Sequence, residues 1–459
     1  MLKRTLLAPL HFIVLAPLVS AENASPGTSN NKVARDAVPV PADRNAVKKW
    51  QDDRFGMFIH WGPVSIAGKE ISWSRGKTHG TPVEVCDALY KQFNPEKFNA
   101  EEWVGAAKAA GMKYIVLTAK HHDGFCLWDT KLTDYNIMNS PFKRDIVKEL
   151  AEACKKQGIK FGCYYSIPDN HNPDYPYDLV GRGCPKREKY DVDAYNRFLM
   201  AQTAELMQNY GPLLTVWYDT DGTVGEFYDA NRGQGVINMA RGIQPDILID
   251  NRIGAKGDYN TPEQNIGGFD MDRPWESCMT VSAHNHWAWG GEKDGVKPRS
   301  NVITMLVECA GGNGNMLLNV GPRPDGLIDP TQVEVLKGVG DWLKVHGKSI
   351  YGTRGGPYMP TARYAATRNG NAVYLHILKW DGDFAKLPPL GAEISSSSLL
   401  GGGKVEVSNR PDGLTLTVPA ADQKSPDTVV KLELSSDAMA LGPIKPAPED
   451  EPPKKTPKK

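Results

Sequence analysis

The sequence predicts a parallel (β/α) barrel followed by a small antiparallel β-sandwich. Between residues 46 and 350, strand-like and helix-like segments alternate, as in repeated strand–helix units. The strand segments are continuously apolar, as in Tyr-Ile-Val-Leu-Thr-Ala at 114–119, which marks a parallel sheet covered on both faces. From about residue 351 the apolar period changes to two, the mark of antiparallel strands with one buried face. No Gly-x-Gly-x-x-Gly follows the first strand, which removes the main reason to choose an open nucleotide-binding sheet.

The barrel elements follow in order. Residues 55–61 form the first strand candidate. Asn99 with Glu102 makes a capping box for a helix with apolar positions at Trp103, Val104, Ala107 and Ala110, stopped by Gly111. The strand at 114–119 comes next. Asp145 opens a helix that buries Ile146, Val147, Leu150 and Cys154 and ends at Gly158, ahead of a strand at 161–165. A helix at 191–210 leads to the strand 213–218, and a shorter helix leads to 247–249. Residues 301–309 read as helix and 315–320 as strand, and Asp329-Pro330 starts a helix along Val333, Leu336, Val339 and Leu343. In the sandwich, Val373, Leu375 and Ile377 alternate with polar or second-face residues. Val405/Val407, Leu414/Leu416/Val418 and Val430/Leu432/Leu434 repeat the pattern, with a turn at Pro411-Asp412-Gly413.

The ends read differently. Residues 1–21 carry basic Lys3 and Arg4, a broken apolar run and Val19-Ser20-Ala21, the layout of an export signal cut after Ala21. Residues 22–45 lack periodicity and are expected as a flexible leader, and the Pro/Lys-rich stretch 441–459 as a disordered tail. The domain expectation is therefore a barrel over 46–350 and a sandwich over 351–440. Export places the protein in a periplasm, a lysosome or outside the cell, with no membrane insertion. Lys plus Arg equals Asp plus Glu at 54 each, so charge gives no reason to expect a nucleic-acid partner. Of the seven cysteines, Cys126, Cys163 and Cys278 fall in or beside strands and are expected buried and free, whereas Cys86 and Cys184 are the pair considered for a bridge.

Side chains at the C-terminal ends of barrel strands converge on one mouth, so those residues are read together. They are His60; His121, His122 and Asp123; Tyr164 and Tyr165; Trp217, Tyr218 and Asp219; Asp250, Asn251 and Arg252; then Glu263, with Trp275-Glu276 closing the set. Zinc on His60, His121, His122 and a carboxylate is the metal alternative. Neighbouring residues on an extended strand face opposite ways, so the tandem histidines share an ion only if the strand ends between them. Two carboxylates with hydroxyl-reading donors and aromatic faces suit glycoside hydrolysis better, and no metal or organic cofactor is expected.

Six ordered motifs carry a resemblance. They are Phe58-Ile59-His60-Trp61-Gly62, Lys120-His121-His122-Asp123-Gly124-Phe125, Tyr164-Tyr165-Ser166, Trp217-Tyr218-Asp219, Gly257-Asp258-Tyr259 with Thr261-Pro262-Glu263-Gln264, and 315–322. Together they resemble the α-L-fucosidases of glycoside hydrolase family 29. The resemblance implies an irregular (β/α)8 TIM-like barrel with a β-sandwich, and retaining, exo-acting release of terminal α-L-fucose from glycans. It implies Asp219 as nucleophile and Glu263 as acid/base, with Glu276 as the second choice. Its substrate-binding set is His60, Glu70, Trp73, His121, His122, Tyr164, Trp217 and Arg252. One departure stands out: Asp219 is followed by Thr220-Asp221-Gly222 where family members commonly have Gly directly, so Asp221 competes for the nucleophile's place. An inactive fucose-binding protein and an exo-glycosidase for α-L-galactose-like sugars are the alternative functions, and the oligomeric state is open.

Overall fold

The computed structural model describes residues 43–76, 81–179, 184–221, 225 and 227–450. The expected export signal, residues 22–42 of the leader, Gly222 and residues 451–459 of the tail lie outside the described residues.

Seven parallel strands form the main sheet: β1 (Phe55–Ile59), β2 (Tyr114–Lys120), β3 (Lys160–Ser166), β4 (Thr215–Asp219), β5 (Leu248–Ile249), β6 (Glu276–Thr280) and β7 (Asn315–Val320). Their order is β5-β4-β3-β2-β1-β7-β6. Between the two outer strands, β5 and β6, runs an irregular segment that bridges both in parallel, Asp250 to Tyr259 on one side and Asn260 to Trp275 and Glu263 to Cys278 on the other. This segment takes the position of an eighth stave and makes the barrel irregular.

Among the described residues eight α-helices accompany the strands: α1 (Arg44–Asp53), α2 (Val83–Ala88), α3 (Ala100–Ala109), α4 (Ile146–Gln157), α5 (Val192–Asn209), α6 (Ala230–Ile243), α7 (Arg299–Gly311) and α8 (Pro330–His346). The capping signals act as read. Asn99 accepts from the amides of Glu101 and Glu102, Asp145 from Lys148, and the left-handed Gly158 ends α4. The short α2 has no buried residue and hence no apolar stripe to betray it. Helix α1 begins at Arg44, inside the segment expected as leader, and buries Trp50 against the barrel floor, 4.6 Å from the Tyr259 ring.

Strand parity decides which side chains face inward. Phe58, Val116, Tyr164, Trp217, Cys278 and Leu317 fill the barrel interior, while Met57, Ile59, Ile115, Leu117 and Val216 pack outward with the helices. The inward positions just beyond them therefore emerge at the C-terminal mouth.

The C-terminal sheets comprise β8 (Arg354–Gly355), β9 (Tyr364–Asn369), β10 (Ala372–Ile377), β11 (Phe384–Leu387), β12 (Ile394–Leu399), β13 (Glu406–Arg410), β14 (Gly413–Thr417) and β15 (Thr428–Leu434). One sheet has the order β12-β15-β10-β9-β8 and the other β11-β14-β13, and an apolar core containing Val373, Leu375, Leu414, Leu416 and Leu432 lies between them. Strand β12 is Ile-Ser-Ser-Ser-Ser-Leu, too polar to show an apolar period. The fully buried Arg54 guanidinium spans the junction by bonding Gly314 O and Asn313 Oδ1 on one side and Thr353 O on the other.

Two expectations are corrected. Residues 441–450 are not a free tail. Ile444 pairs with the chain at Pro357 and Met359, and Asp450 sits 3.2 Å from Arg363, because Ile444 has an apolar seat on the sandwich core. Cys86 and Cys184 are not bridged; all seven cysteines are outside disulfides, and all but Cys86 are buried.

Helices α3 and α8 meet through a glycine. A Cβ at Gly340 would lie 1.8 Å from the Ala109 carbonyl oxygen, a backbone atom that cannot swing aside. Gly340→Ala is therefore expected to destabilise the protein by about 1–3 kcal/mol, read as a lower denaturation midpoint in urea. An unchanged midpoint would show that the two helices part freely.

Candidate active site

At the C-terminal mouth lies a cleft of about 400 Å³ lined by His60, Trp73, His121, His122, Tyr164, Trp217, Asp219, Arg252 and Glu263, together with Phe58, Thr220, Cys278 and Trp287. It thus gathers side chains from all around the barrel.

Parity delivers most of them. Tyr164, Trp217 and Asp219 take alternate inward positions on β3 and β4, and His60 continues the inward row of β1 one residue past the strand. The tandem histidines need a different explanation. Strand β2 ends at Lys120, after a register irregularity between Thr118 and Lys120. Lys120 turns away and pairs with the buried Asp169 at 2.8 Å. His121 and His122 then lie on the turn, freed from strand alternation, and both line the cleft.

Arg252 organises the carboxylates. Its Nη1 donates to Asp219 Oδ1 at 2.7 Å, and its Nη2 lies 2.8 Å from Glu263 Oε2. Nε donates to Thr261 Oγ1 at 2.9 Å and Nη2 to Thr261 O at 3.1 Å, so the same group grips the eighth stave. Its flat face lies over the Trp217 indole, 4.7 Å from the ring centroid. Asp219 Oδ2 accepts a second hydrogen bond from Tyr164 Oη at 2.7 Å. Burial alone would raise the Asp219 pKa, but the Arg252 charge and the bonds from Tyr164 and Arg252 outweigh it and hold the carboxyl below its ordinary value. Asp219 is thus a half-buried, ionised carboxylate, with 13% of its side chain exposed against 43% for Glu263.

The histidines are neutral. Burial pushes His60 down to about 3 despite its bond to Asn319, and burial with the neighbouring histidines takes His121 well below its ordinary value. Burial also lowers His122, against the pull of Asp219. A neutral imidazole has one donor and one acceptor nitrogen, as hydroxyl recognition requires.

Two expected residues stand elsewhere. Glu70 does not line the cleft: its carboxylate accepts from the amides of Ile71, Trp287 and Ala288 at 2.8, 2.8 and 3.0 Å, clipping the loop that carries Trp287. Glu276, the second choice for acid/base, opens β6 rather than ending it, and so sits at the barrel's opposite end. Tyr114 hydrogen-bonds to it there, and burial raises its pKa to about 7, with weaker opposition from Tyr114, Trp217 and Trp50. The same misplaced boundary hid Trp287. The true end of β6 leads into His284-Asn285-His286-Trp287-Ala288-Trp289, an aromatic cluster that the correct strand limits would have exposed. Asp221, the rival to Asp219, is not among the side chains lining the cleft.

Among the described residues, His121, His122 and Asp219 form the one grouping with metal-like proximity, their donor atoms within 4.8 Å of one another. The carboxylate is occupied by Arg252 and Tyr164, and Nδ1 of each histidine by a serine. A guanidinium at 2.7 Å repels a cation, so the donor set does not suit a metal.

Comparisons with known proteins agree with this geometry. The α-L-fucosidase family profile matches residues 28–348. Human tissue α-L-fucosidase is 30% identical over 422 residues, covering 84% of this chain and 86% of the relative. The structure of α-L-fucosidase isoenzyme 1 from Paenibacillus thiaminolyticus superposes with a TM-score of 0.77 at 35% identity, covering 85% of this chain and 99% of that one. A family 29 α-L-fucosidase from Bacteroides thetaiotaomicron, solved as a trapped covalent intermediate, superposes with a TM-score of 0.77 at 27% identity, covering 87% and 98%.

The buried histidines set an acid limit on stability. His60 has a folded pKa of about 3 and an unfolded one near 6.5, so the unfolded chain takes up the proton first. Its contribution is therefore fully present above about pH 6.5 and is lost as pH falls towards the folded value. By pH 4.5 the loss from His60 alone is about 2–3 kcal/mol. Thermal melts between pH 7.5 and 4.5 should fall more steeply for the wild type than for His60→Gln. Parallel curves would contradict a neutral His60.

Proposed function

The chain belongs to the α-L-fucosidase family, glycoside hydrolase family 29, and from that premise we propose that Asp219 and Glu263 perform a retaining double displacement on terminal α-L-fucose of glycans. The observation that carries the assignment is the single Arg252 guanidinium holding both carboxylates at the mouth of a histidine-lined cleft.

In the first step an Asp219 oxygen attacks the sugar's C1 while the bond from C1 to the leaving oxygen breaks, and Glu263 supplies the proton that oxygen needs. Asp219 suits attack because it is ionised and its side chain reaches the cleft, only 13% exposed. Glu263 suits proton delivery because it is half-exposed at the rim, where a leaving group departs. Once Asp219 is esterified its charge is gone, and Arg252 is left facing the carboxylate that proton donation has just created. Glu263 then takes a proton from water, the water oxygen bonds to C1, and Asp219 leaves as carboxylate. Arg252 thus stabilises whichever carboxylate bears the charge at each stage.

His60, His121 and His122 read the sugar hydroxyls, Tyr164 and Arg252 orient Asp219, Trp217 backs the Arg252 guanidinium, and Trp73 and Trp287 offer aromatic faces to the sugar's apolar side. Glu70 acts through Trp287, whose backbone it holds. Residues 1–21 act as an export signal. The periodicity change near residue 351 supports a catalytic domain over 46–350 with an appended sandwich.

On an aryl α-L-fucoside, Asp219→Asn is expected to lower kcat by at least about a thousandfold, while Asp221→Asn stays within a few-fold of wild type. Azide stereochemistry separates the two carboxylate roles: Asp219→Gly rescued by azide yields the β-fucosyl azide, whereas Glu263→Ala yields the α-fucosyl azide. Turnover retained in Asp219→Asn, or an inverted azide from Glu263→Ala, overturns the assignment. N-terminal sequencing of exported protein is expected to begin at Glu22, and a start within residues 1–21 would refute the signal.

A further inference from the structure

We propose that Asn319, Ser72 and Ser166 are positioning residues that lock the tautomers of His60, His121 and His122, so that the cleft presents two acceptor nitrogens and one donor to the sugar. The proposal rests on the fucosidase reading for the sugar, but the tautomers themselves follow from hydrogen-bond polarity alone.

His60 Nδ1 lies 2.7 Å from Asn319 Oδ1. The Asn319 amide is oriented by its other end, where Nδ2 donates to the Trp287 carbonyl at 2.7 Å. Rotating the amide would set two carbonyl oxygens against each other, so Oδ1 must face His60. An amide oxygen only accepts. His60 therefore carries its proton on Nδ1, and its Nε2 is a bare acceptor.

The same accounting settles His122. The Ser166 hydroxyl donates to the Pro168 carbonyl at 2.5 Å, which uses its one proton. Toward His122 Nδ1, also at 2.5 Å, it can then only accept. His122 is protonated on Nδ1 as well, and its Nε2 faces Asp219 Oδ2 across 3.9 Å as a second acceptor. Two acceptors at that distance do not bond each other, and a sugar hydroxyl that donates resolves the pair.

His121 has the opposite polarity. Ser72 Oγ accepts from the Asp123 amide at 3.1 Å, and its proton has one recorded acceptor among the described residues, His121 Nδ1 at 2.6 Å. Its ring accepts at Nδ1 and carries the proton on Nε2. Leaving a buried serine proton without an acceptor is the alternative, and it is unfavourable. Serine at one neighbouring histidine thus acts as donor and at the other as acceptor, according to what else each serine binds.

The pattern selects hydroxyls by direction. A ligand atom opposite His60 or His122 must donate, and one opposite His121 must accept. Fluorine cannot donate, so replacing hydroxyls one at a time by fluorine should weaken competitive binding at two sugar positions by about tenfold to a hundredfold, and at a third by much less.

The direct test is 15N–1H correlation through two and three bonds on protein labelled at histidine, without substrate. Expected are Nδ1–H forms for His60 and His122 and the Nε2–H form for His121, assigned with Asn319→Leu, Ser166→Ala and Ser72→Ala. Ser166→Ala should move His122 to the Nε2–H form, which can bond Asp219, and lower kcat/KM by about tenfold to a hundredfold. Ser166→Thr keeps the hydroxyl and should keep both tautomer and turnover. A wild-type spectrum with Nε2–H on His60 or His122, or Nδ1–H on His121, overturns the proposal even if every variant is poorly folded. Fucose release by the same wild-type sample reports separately on the fucosidase reading, so failure of one is distinguishable from failure of the other.

Discussion

The geometry of the candidate active site depends on one guanidinium. Arg252 uses its donors on Asp219, Glu263 and both the hydroxyl and the carbonyl of Thr261, and lays its face on Trp217. These contacts join the end of β4 to the segment that replaces a regular eighth strand. That segment is held to its neighbours by isolated backbone bridges rather than a continuous ladder, and the planar fork of an arginine adds a side-chain clasp to them. The charge that helps to fasten this segment is thus the same one that holds the Asp219 carboxyl below its ordinary pKa.

Apart from Arg252 and its two carboxylates, Asp219 and Glu263, the cleft has no charged side chain in its lining among the described residues. Three neutral imidazoles line it, and their outer nitrogens rest on an amide and two hydroxyls rather than on carboxylates. A carboxylate partner would favour imidazolium and put a competing cation beside Arg252. Neutral partners instead leave each ring with one fixed polarity toward a sugar. Glu70 and Asn319 extend this support to Trp287, whose amide and carbonyl they hold from opposite sides.

Much of this was legible in the chain. Continuous apolar runs identified the strands, and the residues following them identified His60, His121, His122, Tyr164, Asp219, Arg252 and Glu263, all of which line the cleft. The readings that failed have separate physical reasons. Glu276 and Trp287 were exchanged because Trp275-Glu276 was taken as a strand end when it is a strand beginning, and Ser-Cys-Met-Thr carries too little apolar signal to place β6. Glu70, which the resemblance placed in the substrate-binding set, instead holds the backbone of Trp287, a partner more than 200 residues away that local sequence does not show. Strand β12, with four consecutive serines, has no pattern to read because pairing with β15 rather than side-chain burial defines it.

By itself the sequence determined the order of elements, the barrel and the family, since apolar periodicity, caps and ordered motifs are local properties of the chain. Only the tertiary structure decided which carboxylates share Arg252, why two adjacent histidines face one cleft, and which histidine nitrogen carries each proton. Those facts rest on partners far apart in the chain, such as His60 with Asn319 and Arg252 with Asp219. Hydrogen-bond polarity and charge pairing are set by what folding brings within 3 Å of one another, and local sequence holds no record of that.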